Sequence, residues 1–407
     1  MSGGKHLAIL VPTLDGGGAE RVMLYIVPGL ARLGYRIDLV VCRAQGHLRD
    51  RLPPEARLVE LERSSIAAGR LNALASDPAG FLELARPMLF PIKSVWALRY
   101  GASLTAYLKR EQPDILLSGG QYFNLVALWA RRRAAVATRV AITEHTVLTP
   151  NIEARPGHWR HQYLPPLLRR TYPWADAIIS VSRGVGDDLA KITGLARARI
   201  TTIYNPVVSS DMAALAEAPL DHPWFDGGGG PALLAAGRLV FEKDFPTLLR
   251  AFARVRKARD AKLIILGSGG KLGSAVDDLV KRLDLTEHVA FEGWVENPFA
   301  YMSRASVFVL SSLYEGLGNV LIEAMACGCP VVSTDCPSGP AEILAKGHYG
   351  PLVPVGDDAA MAEAILGVLD EPIDAQVLKD RADDFTVEKA VAQYQAVFQD
   401  LTAPPSA

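Results

Sequence analysis

Residues 307–334 read VFVLSSLYEGLGNVLIEAMACGCPVVST. The opening VFVLSS and the closing PVVST are short, β-branched apolar runs of the kind that forms strands buried on both faces. Between them, Gly316 and Gly318 permit a tight turn from strand into helix, with Asn319 a good candidate for the helix N-cap. Strand, turn, helix and strand make up the repeating unit of a parallel sheet.

The alternation continues outward from this stretch. PLVPV follows it, and LLAAG, KLIILG and VAFEG precede it. Before them, residues 206–231 lack sustained periodicity and are rich in Pro, Gly, Asp and Ala, which predicts a flexible linker. A second series lies upstream: LAILVPTL, IDLVVC, ARLVEL, DILLSG, RVAIT, AIISVS and ITTIYN. Helical patterns separate most of these runs, as in residues 19–33 with Val22, Leu24, Ile26, Leu30 and Leu33. The chain has 407 residues, more than one core usually serves. The expected fold is α/β, with two Rossmann-like, doubly wound domains, 1–206 and 207–385, facing across a cleft. Residues 386–407 hold an amphipathic helix and a tail, expected to cross back onto the N-terminal domain. Ligands of such folds sit beyond the carboxyl ends of the strands.

Charged residues make up 21% and the net charge is −1, which excludes a uniformly basic nucleic-acid binder. The apolar run after Met1 is too short for a secretory signal, and no stretch of 18 apolar residues would span a bilayer, so a cytoplasmic protein is expected. Cys42, Cys327, Cys329 and Cys336 lack the spacing of a zinc site and read as small buried apolar residues.

Four motifs carry chemistry. In the segment Glu315–Glu323, backbone N–H groups of residues 317–320 at the helix start would face an anion or hydroxyls. Carboxylates at Glu315 and Glu323 cannot bind phosphate, but they accept strong hydrogen bonds from hydroxyls. Arg238 and Lys243, after LLAAG, are cations at a strand end. A fixed Arg/Lys pair can neutralise a departing diphosphate, as a metal would. Asp383-Asp384 and Asp357-Asp358 read as helical surface, so no metal site is expected. The third motif is Asp15-Gly16-Gly17-Gly18-Ala19-Glu20-Arg21, whose small residues let backbone approach a phosphate or an acceptor. The fourth is His145, at the end of RVAIT, placed for hydrogen bonding with some acid–base character.

The Glu315–Glu323 segment with the following AMACGCPVVSTD resembles the Glu-x7-Glu motif of family 4 glycosyltransferases, which have the GT-B fold. The resemblance covers most of the chain. It implies that Glu315 binds hydroxyls of a donor sugar and Glu323 the nucleotide ribose, with Gly316, Leu317, Gly318, Asn319 and Val320 completing the donor site. It further implies that Arg238 and Lys243 clamp the donor phosphates and that the loop with Gly17 and Gly18 reaches toward the diphosphate. His145 matches a histidine frequent at this position, near the reacting end of the donor sugar. Phe291–Val295 would line the base pocket through Trp294 and Val295. Pro337–Glu342 resembles a segment common in bacterial transferases that use UDP-sugars, and the family implies retention of configuration.

Between Glu83 and Asp176, thirteen Lys or Arg face four Asp or Glu, interleaved with Phe90, Trp96, Tyr100, Trp159, Tyr163, Tyr172 and Trp174. Such a segment suits an anionic leaflet or a pyrophosphate-bearing lipid acceptor, or else is a set of solvated helix faces paired elsewhere. The expectation is therefore a retaining, metal-independent hexosyltransferase with no cofactor beyond its nucleotide-diphosphate sugar. The leading donor is a UDP-hexose or UDP-N-acetylhexosamine, the acceptor a lipid-linked glycan or polysaccharide precursor, and the place the cytoplasm or the inner face of its membrane. GDP-mannose as donor remains open, as do an epimerase, a hydrolase or a plain nucleotide-sugar binder on the same architecture.

Overall fold

The computed structural model describes residues 4–15, 17–84, 95–154, 159–225, 230–267 and 273–403. The chain divides into two compact units, one of Met1–Pro206 with Val387–Ala407, the other of Val207–Thr386.

The first unit holds strands β1 (His6–Thr13), β2 (Arg36–Arg43), β3 (Ala56–Glu60), β4 (Ile115–Gly119), β5 (Arg139–Glu144), β6 (Ala177–Ser180) and β7 (Ile200–Thr202). They pair in parallel in the order β3-β2-β1-β4-β5-β6-β7. Its helices are α1 (Gly18–Arg32), α2 (Ile66–Ser76), α3 (Phe81–Leu84), α4 (Gly101–Glu111), α5 (Gln121–Ala134), α6 (Thr149–Ala154), α7 (Trp159–Thr171) and α8 (Arg183–Thr193). Leu7, Ile9 and Val11 face one apolar layer, while Ala8 and Leu10 face the other. This explains the unbroken apolar runs: a strand covered on both sides has no polar face to show.

The second unit holds β8 (Ala232–Ala236), β9 (Lys262–Leu266), β10 (Val289–Gly293), β11 (Val307–Leu310), β12 (Val331–Thr334) and β13 (Leu352–Val353). They are again parallel, in the order β10-β9-β8-β11-β12-β13. Around them lie α9 (Met212–Glu217), α10 (Phe245–Ala258), α11 (Gly273–Arg282), α12 (Phe299–Met302), α13 (Asn319–Ala326), α14 (Pro340–Ile343), α15 (Asp358–Asp370) and α16 (Ala375–Ala382). The thirteen apolar runs read from the sequence are the thirteen strands found among the described residues.

The last helix, α17 (Val387–Thr402), packs in the first unit. Ala390, Val391, Tyr394 and Phe398 are buried in the layer that contains α1. Gly29 makes the approach possible, because a Cβ there would lie 2.6 Å from Val391 Cγ2. Tyr35 meets Phe398 edge to face, with ring centroids 6.0 Å apart.

The linker reading of residues 206–231 is corrected for the part described. Val207 and Val208 donate their N–H groups to the Phe385 carbonyl at 2.9 and 3.1 Å. Asn297 Nδ2 donates to Leu215 O at 2.7 Å, and Ser303 Oγ to Ala216 O, also at 2.7 Å. Side chains more than 80 residues away thus hold this backbone to the second unit. No periodicity within the segment could have announced them. Residues 226–229, the glycine-rich end of the expected linker, lie outside the described residues.

Each sheet reverses its strand order once, between β1 and β4 and between β8 and β11. At such switch points neighbouring loops diverge and leave a crevice.

Candidate functional site

In the second unit, the loops after β8 and β11 meet at the switch point. After β8 the chain turns at Gly237 (φ +156°), whose carbonyl lies 2.1 Å from where a Cβ on Gly267 would stand. A 3-10 turn, Phe241–Lys243, then leads to Asp244, which caps α10 through the Thr247 N–H. Ser311 Oγ donates to Lys243 O at 2.8 Å and Leu313 N to Glu242 O at 2.8 Å, so the two loops are tied together.

The tie places Lys243 Nζ 2.5 Å from Glu315 Oε1, with Ser312 Oγ donating to the same oxygen at 2.7 Å. Both charged side chains are largely buried, 20% and 12% exposed. From sequence these two residues were assigned to different parts of a ligand; in the structure they neutralise each other. Arg238 is not drawn in. Its side chain is 76% exposed and lies 3.9 Å from Glu242. Glu323 is half-buried in the second turn of α13.

The expected cap of α13 is corrected. Gly318, at φ +95°, is the N-cap and Asn319 the first helical residue, because only the left-handed conformation at Gly318 turns the chain into the helix. No side chain caps this end. Leu317 is buried beside Gly316, and Val320 is half-buried in the first turn. The loop after β12 buttresses the arrangement. Ser338 Oγ donates to Gly316 O at 3.0 Å, Thr334 Oγ1 to Ser312 O at 2.6 Å, and Glu315 N to Pro337 O at 3.3 Å. Sequence reasoning missed Ser311, Ser312 and Thr334; single hydroxyls at strand ends carry no motif. Trp294, 50% exposed, and Val295 follow β10 at the sheet edge, two strands from β8.

In the first unit the glycine loop follows β1. Gly16 lies outside the described residues. Asp15 pairs with Arg43 at 3.3 Å, both exposed. Gly17 is the N-cap of α1 and Gly18 its first residue. A Cβ on Gly17 would stand 2.2 Å from Glu20 Oε2, so this glycine serves by making room for the Glu20 carboxylate. Arg21 donates its N–H to Gly17 O.

His145 follows β5. Its Nε2 is 2.8 Å from Thr143 Oγ1, whose own proton goes to the Ser118 carbonyl. A hydroxyl has one proton, so Nε2–H must donate to Thr143 and Nδ1 carries the lone pair. That Nδ1 is buried and meets no hydrogen-bond partner among the described residues. Burial lowers the pKa to about 4, so the ring is neutral near pH 7. On the opposite side of the strand, Glu144 is buried against Tyr172 and Asn124. Burial raises its pKa to about 7, more than the Tyr172 and Asn124 hydrogen bonds lower it. A cavity of about 250 Å³ opens at the β1/β4 switch point, between Glu20, Met23, Trp96, Gly119, Gln121 and Phe123.

Among the described residues, no group of three His, Cys, Asp or Glu side chains could hold a metal ion. Asp357 caps α15 and Asp358 pairs with Arg254 at 2.5 Å. The four thiols are unbridged, and Cys327 is only half-buried. Burial pushes Cys327 and Cys336 up to about 12.

The basic stretch is partly discharged internally. Arg170 pairs with Asp77 and Arg139 with Asp176, both acids outside the counted interval. Arg132 lies 4.1 Å over Trp174, and Arg131 and Arg169 donate to the Thr138 and Ile192 carbonyls. Arg86, Phe90, Lys93 and Arg155 lie outside the described residues, as do the side chains of Trp159 and Arg160. Among the described residues, no helix is long and apolar enough to cross a membrane.

The model of Glycosyltransferase Family 4 matches residues 16–210, and that of Glycosyl transferases group 1 matches residues 230–371. The chain is 28% identical, over 93% of its length and 94% of the relative's, to N-acetylgalactosamine-N,N'-diacetylbacillosaminyl-diphospho-undecaprenol 4-alpha-N-acetylgalactosaminyltransferase of Campylobacter jejuni. It is 26% identical, over 86% of its length and 84% of the relative's, to the lipopolysaccharide core biosynthesis glycosyltransferase LpsE of Rhizobium meliloti. Among solved structures, sucrose-phosphate synthase from Thermosynechococcus elongatus superposes with a TM-score of 0.75 at 20% identity, over 98% of this chain and 99% of that one. HepE of Anabaena, in complex with UDP and glucose, gives 0.73 at 18% identity, over 97% and 99%. Two parallel sheets of this topology, the Glu315–Glu323 segment at a strand end and these matches agree: the chain is a family 4 glycosyltransferase of the GT-B fold, a hexosyltransferase.

Proposed function

We propose that the protein transfers a hexose or N-acetylhexosamine from a UDP-linked donor to a lipid-linked glycan or polysaccharide precursor, with retention and without a metal. The observation that carries this reading is the Lys243–Glu315 pair at the β8/β11 switch point. A cation and a carboxylate that satisfy each other can each turn to one half of a sugar diphosphate, Lys243 to phosphate oxygens and Glu315 to sugar hydroxyls. Arg238, exposed on the same loop, adds the second charge for the departing diphosphate. Glu323 receives the ribose hydroxyls, and Trp294 and Val295 lie beside the base. Gly316–Val320 contribute backbone N–H groups around the start of α13.

In the chemical step the bond from the anomeric carbon to the diphosphate oxygen breaks, and the acceptor oxygen bonds to that carbon from the same face. The acceptor's proton passes to the departing diphosphate. Within the first unit, neutral His145 and the Gly17–Gly18 loop are the groups we assign to hydrogen bonding with sugar hydroxyls. The UDP preference draws on the relative named as an N-acetylgalactosaminyltransferase acting on a diphospho-undecaprenol glycan, and on the HepE complexes with UDP. An acceptor anchored in lipid would bring the protein to the inner leaflet. Cosedimentation with anionic but not neutral vesicles tests that part.

Thermal shift with UDP, GDP and ADP tests the donor, since bound nucleotide stabilises in proportion to its affinity. Transfer assays with UDP-N-acetylgalactosamine and bacterial membranes test the reaction. Lys243→Ala and Glu315→Ala should each lower turnover about 100-fold or more. Near-normal turnover of either pure variant would overturn the assignment.

A further inference from the structure

We infer that the Lys243–Glu315 pair is a release device for the spent nucleotide: once the sugar has gone, Glu315 takes Lys243 back and so loosens the hold on the nucleoside diphosphate left behind. This regulation of the donor site rests on the transferase reading.

The main chain on both sides of the pair is fixed. Ser311 Oγ donates to Lys243 O and Leu313 N to Glu242 O, each at 2.8 Å, and Glu315 N donates to Pro337 O at 3.3 Å. The Glu315 carboxylate is held as well. Ser312 Oγ donates to its Oε1 at 2.7 Å, beside Lys243 Nζ at 2.5 Å. Because Ser312 can keep its bond to Oε1 whichever way the lysine points, it acts as a positioning residue for the carboxylate. Lys243 is the mobile partner, an ammonium on a flexible stem. That stem runs past Gly237, where a Cβ would stand 3.4 to 3.6 Å from Cε, Cδ and Cγ, so nothing bulkier than a glycine crowds it. Rotation of the stem makes or breaks the pair with no change in the backbone.

Both charges are largely buried, and a buried ammonium without a counter-charge is costly. Lys243 therefore keeps an anion at all times, and the Glu315 carboxylate and the diphosphate compete for it. While the donor is whole, sugar hydroxyls satisfy Glu315 and leave Lys243 to the phosphates. After transfer those hydroxyls are gone. The carboxylate is again an open acceptor beside Lys243, and each phosphate contact of the lysine is offset by the pair it forgoes. The site thereby holds the intact donor in preference to the product.

The test is calorimetric titration of UDP into the full chain, as wild type, Lys243→Met, Glu315→Gln and the double variant. Glu315→Gln keeps an oxygen for the Ser312 hydroxyl but leaves Lys243 without its counter-charge, so it should bind UDP about 10-fold more tightly than wild type, even as turnover falls. Removing a carboxylate near a diphosphate also relieves repulsion. The double variant separates the two effects, because repulsion cancels around the cycle and the exchange of partners does not. Lys243→Met should weaken UDP about 3-fold in the wild type and about 30-fold in the Glu315→Gln background, a coupling on the scale of one charged hydrogen bond. Equal losses in both backgrounds overturn the inference. If Glu315→Gln does not fold, the ammonium nitrogen resonance of Lys243, identified by its loss in Lys243→Met, decides in the wild type. Saturating UDP should move it, and a resonance left in place at saturation overturns the inference. A wild type that does not bind UDP at all sinks the transferase reading itself, whereas UDP binding with equal losses sinks the release device alone.

Discussion

Glu144 and His145, neighbours in sequence, should titrate against each other. Burial lifts Glu144 from 4.5 to about 7 and lowers His145 from 6.5 to about 4. Between pH 4.5 and 7 the folded chain keeps a proton on Glu144 that the unfolded chain has lost. The Glu144 contribution to stability is therefore complete below pH 4.5 and is lost as pH rises through 7. Below pH 6.5 the unfolded chain takes up a proton that folded His145 refuses, so the His145 contribution is complete above pH 6.5 and is lost as pH falls through 4. At roughly 1.4 kcal/mol per pH unit, the Glu144 gap is worth about 3 kcal/mol. His145 is partly accessible as a residue, which reduces its share to about 2 kcal/mol. The two slopes oppose each other over nearly the same window, and the wild type hides both.

Glu144→Gln keeps an oxygen for the Tyr172 hydroxyl and the Asn124 amide while removing the titration. Its stability relative to wild type should climb by about 3 kcal/mol from pH 4.5 to 7. His145→Asn should fall by about 2 kcal/mol relative to wild type from pH 4 to 6.5. Urea denaturation at stepped pH measures both. Four of the six tryptophans, Trp96, Trp129, Trp159 and Trp174, report on the first unit. Taking variant minus wild type cancels every other titrating group. Differences that stay level with pH for both variants would refute the reasoning.

Gly339 sits at φ +75°, with the Leu317 carbonyl oxygen 2.0 Å from where its Cβ would be. Gly339→Ala should cost the second unit about 3 kcal/mol and weaken UDP stabilisation, measured by thermal melting with and without nucleotide. Gly29→Ala should cost about 1–3 kcal/mol by forcing α17 away from α1, and a second change, Val391→Ala, should recover part of it in urea melts. If Arg238 and Lys243 carry the compensating charge as proposed, transfer should proceed within about 2-fold of its usual rate in excess EDTA; a metal requirement would show as a collapse of turnover restored by Mn²⁺ or Mg²⁺.

All thirteen strands could be read from the sequence because each is a doubly covered apolar run between turn residues. The same reasoning brought out Glu315 and Lys243, polar residues at the ends of apolar strands, where hydrophobicity gives no reason for them. Their mutual contact could not be read, since it depends on Ser311 and Leu313 grasping a loop 68 to 71 residues earlier in the chain. The docking of residues 207–225 was hidden for the same reason: Asn297 and Ser303 hold backbone carbonyls, which every residue type has alike. The arginine-rich stretch looked freer than it is because its partners Asp77 and Asp176 fall outside the interval counted. Glu20 was passed over as part of a glycine loop. The signal was there, since an acid three residues after a glycine N-cap can bend back over it.

Because α17 packs with α1 while Val207–Thr386 intervenes, the second unit is an insertion in the first. During synthesis the whole inserted sequence emerges before Val391 and Phe398 exist to cover Gly29 and Tyr35. The half of the molecule that is translated first is thus the last to be finished, against the usual N-to-C order of maturation. A ribosome-stalled chain ending near Thr386 should carry a protease-resistant second unit beside a first unit that is still open to digestion.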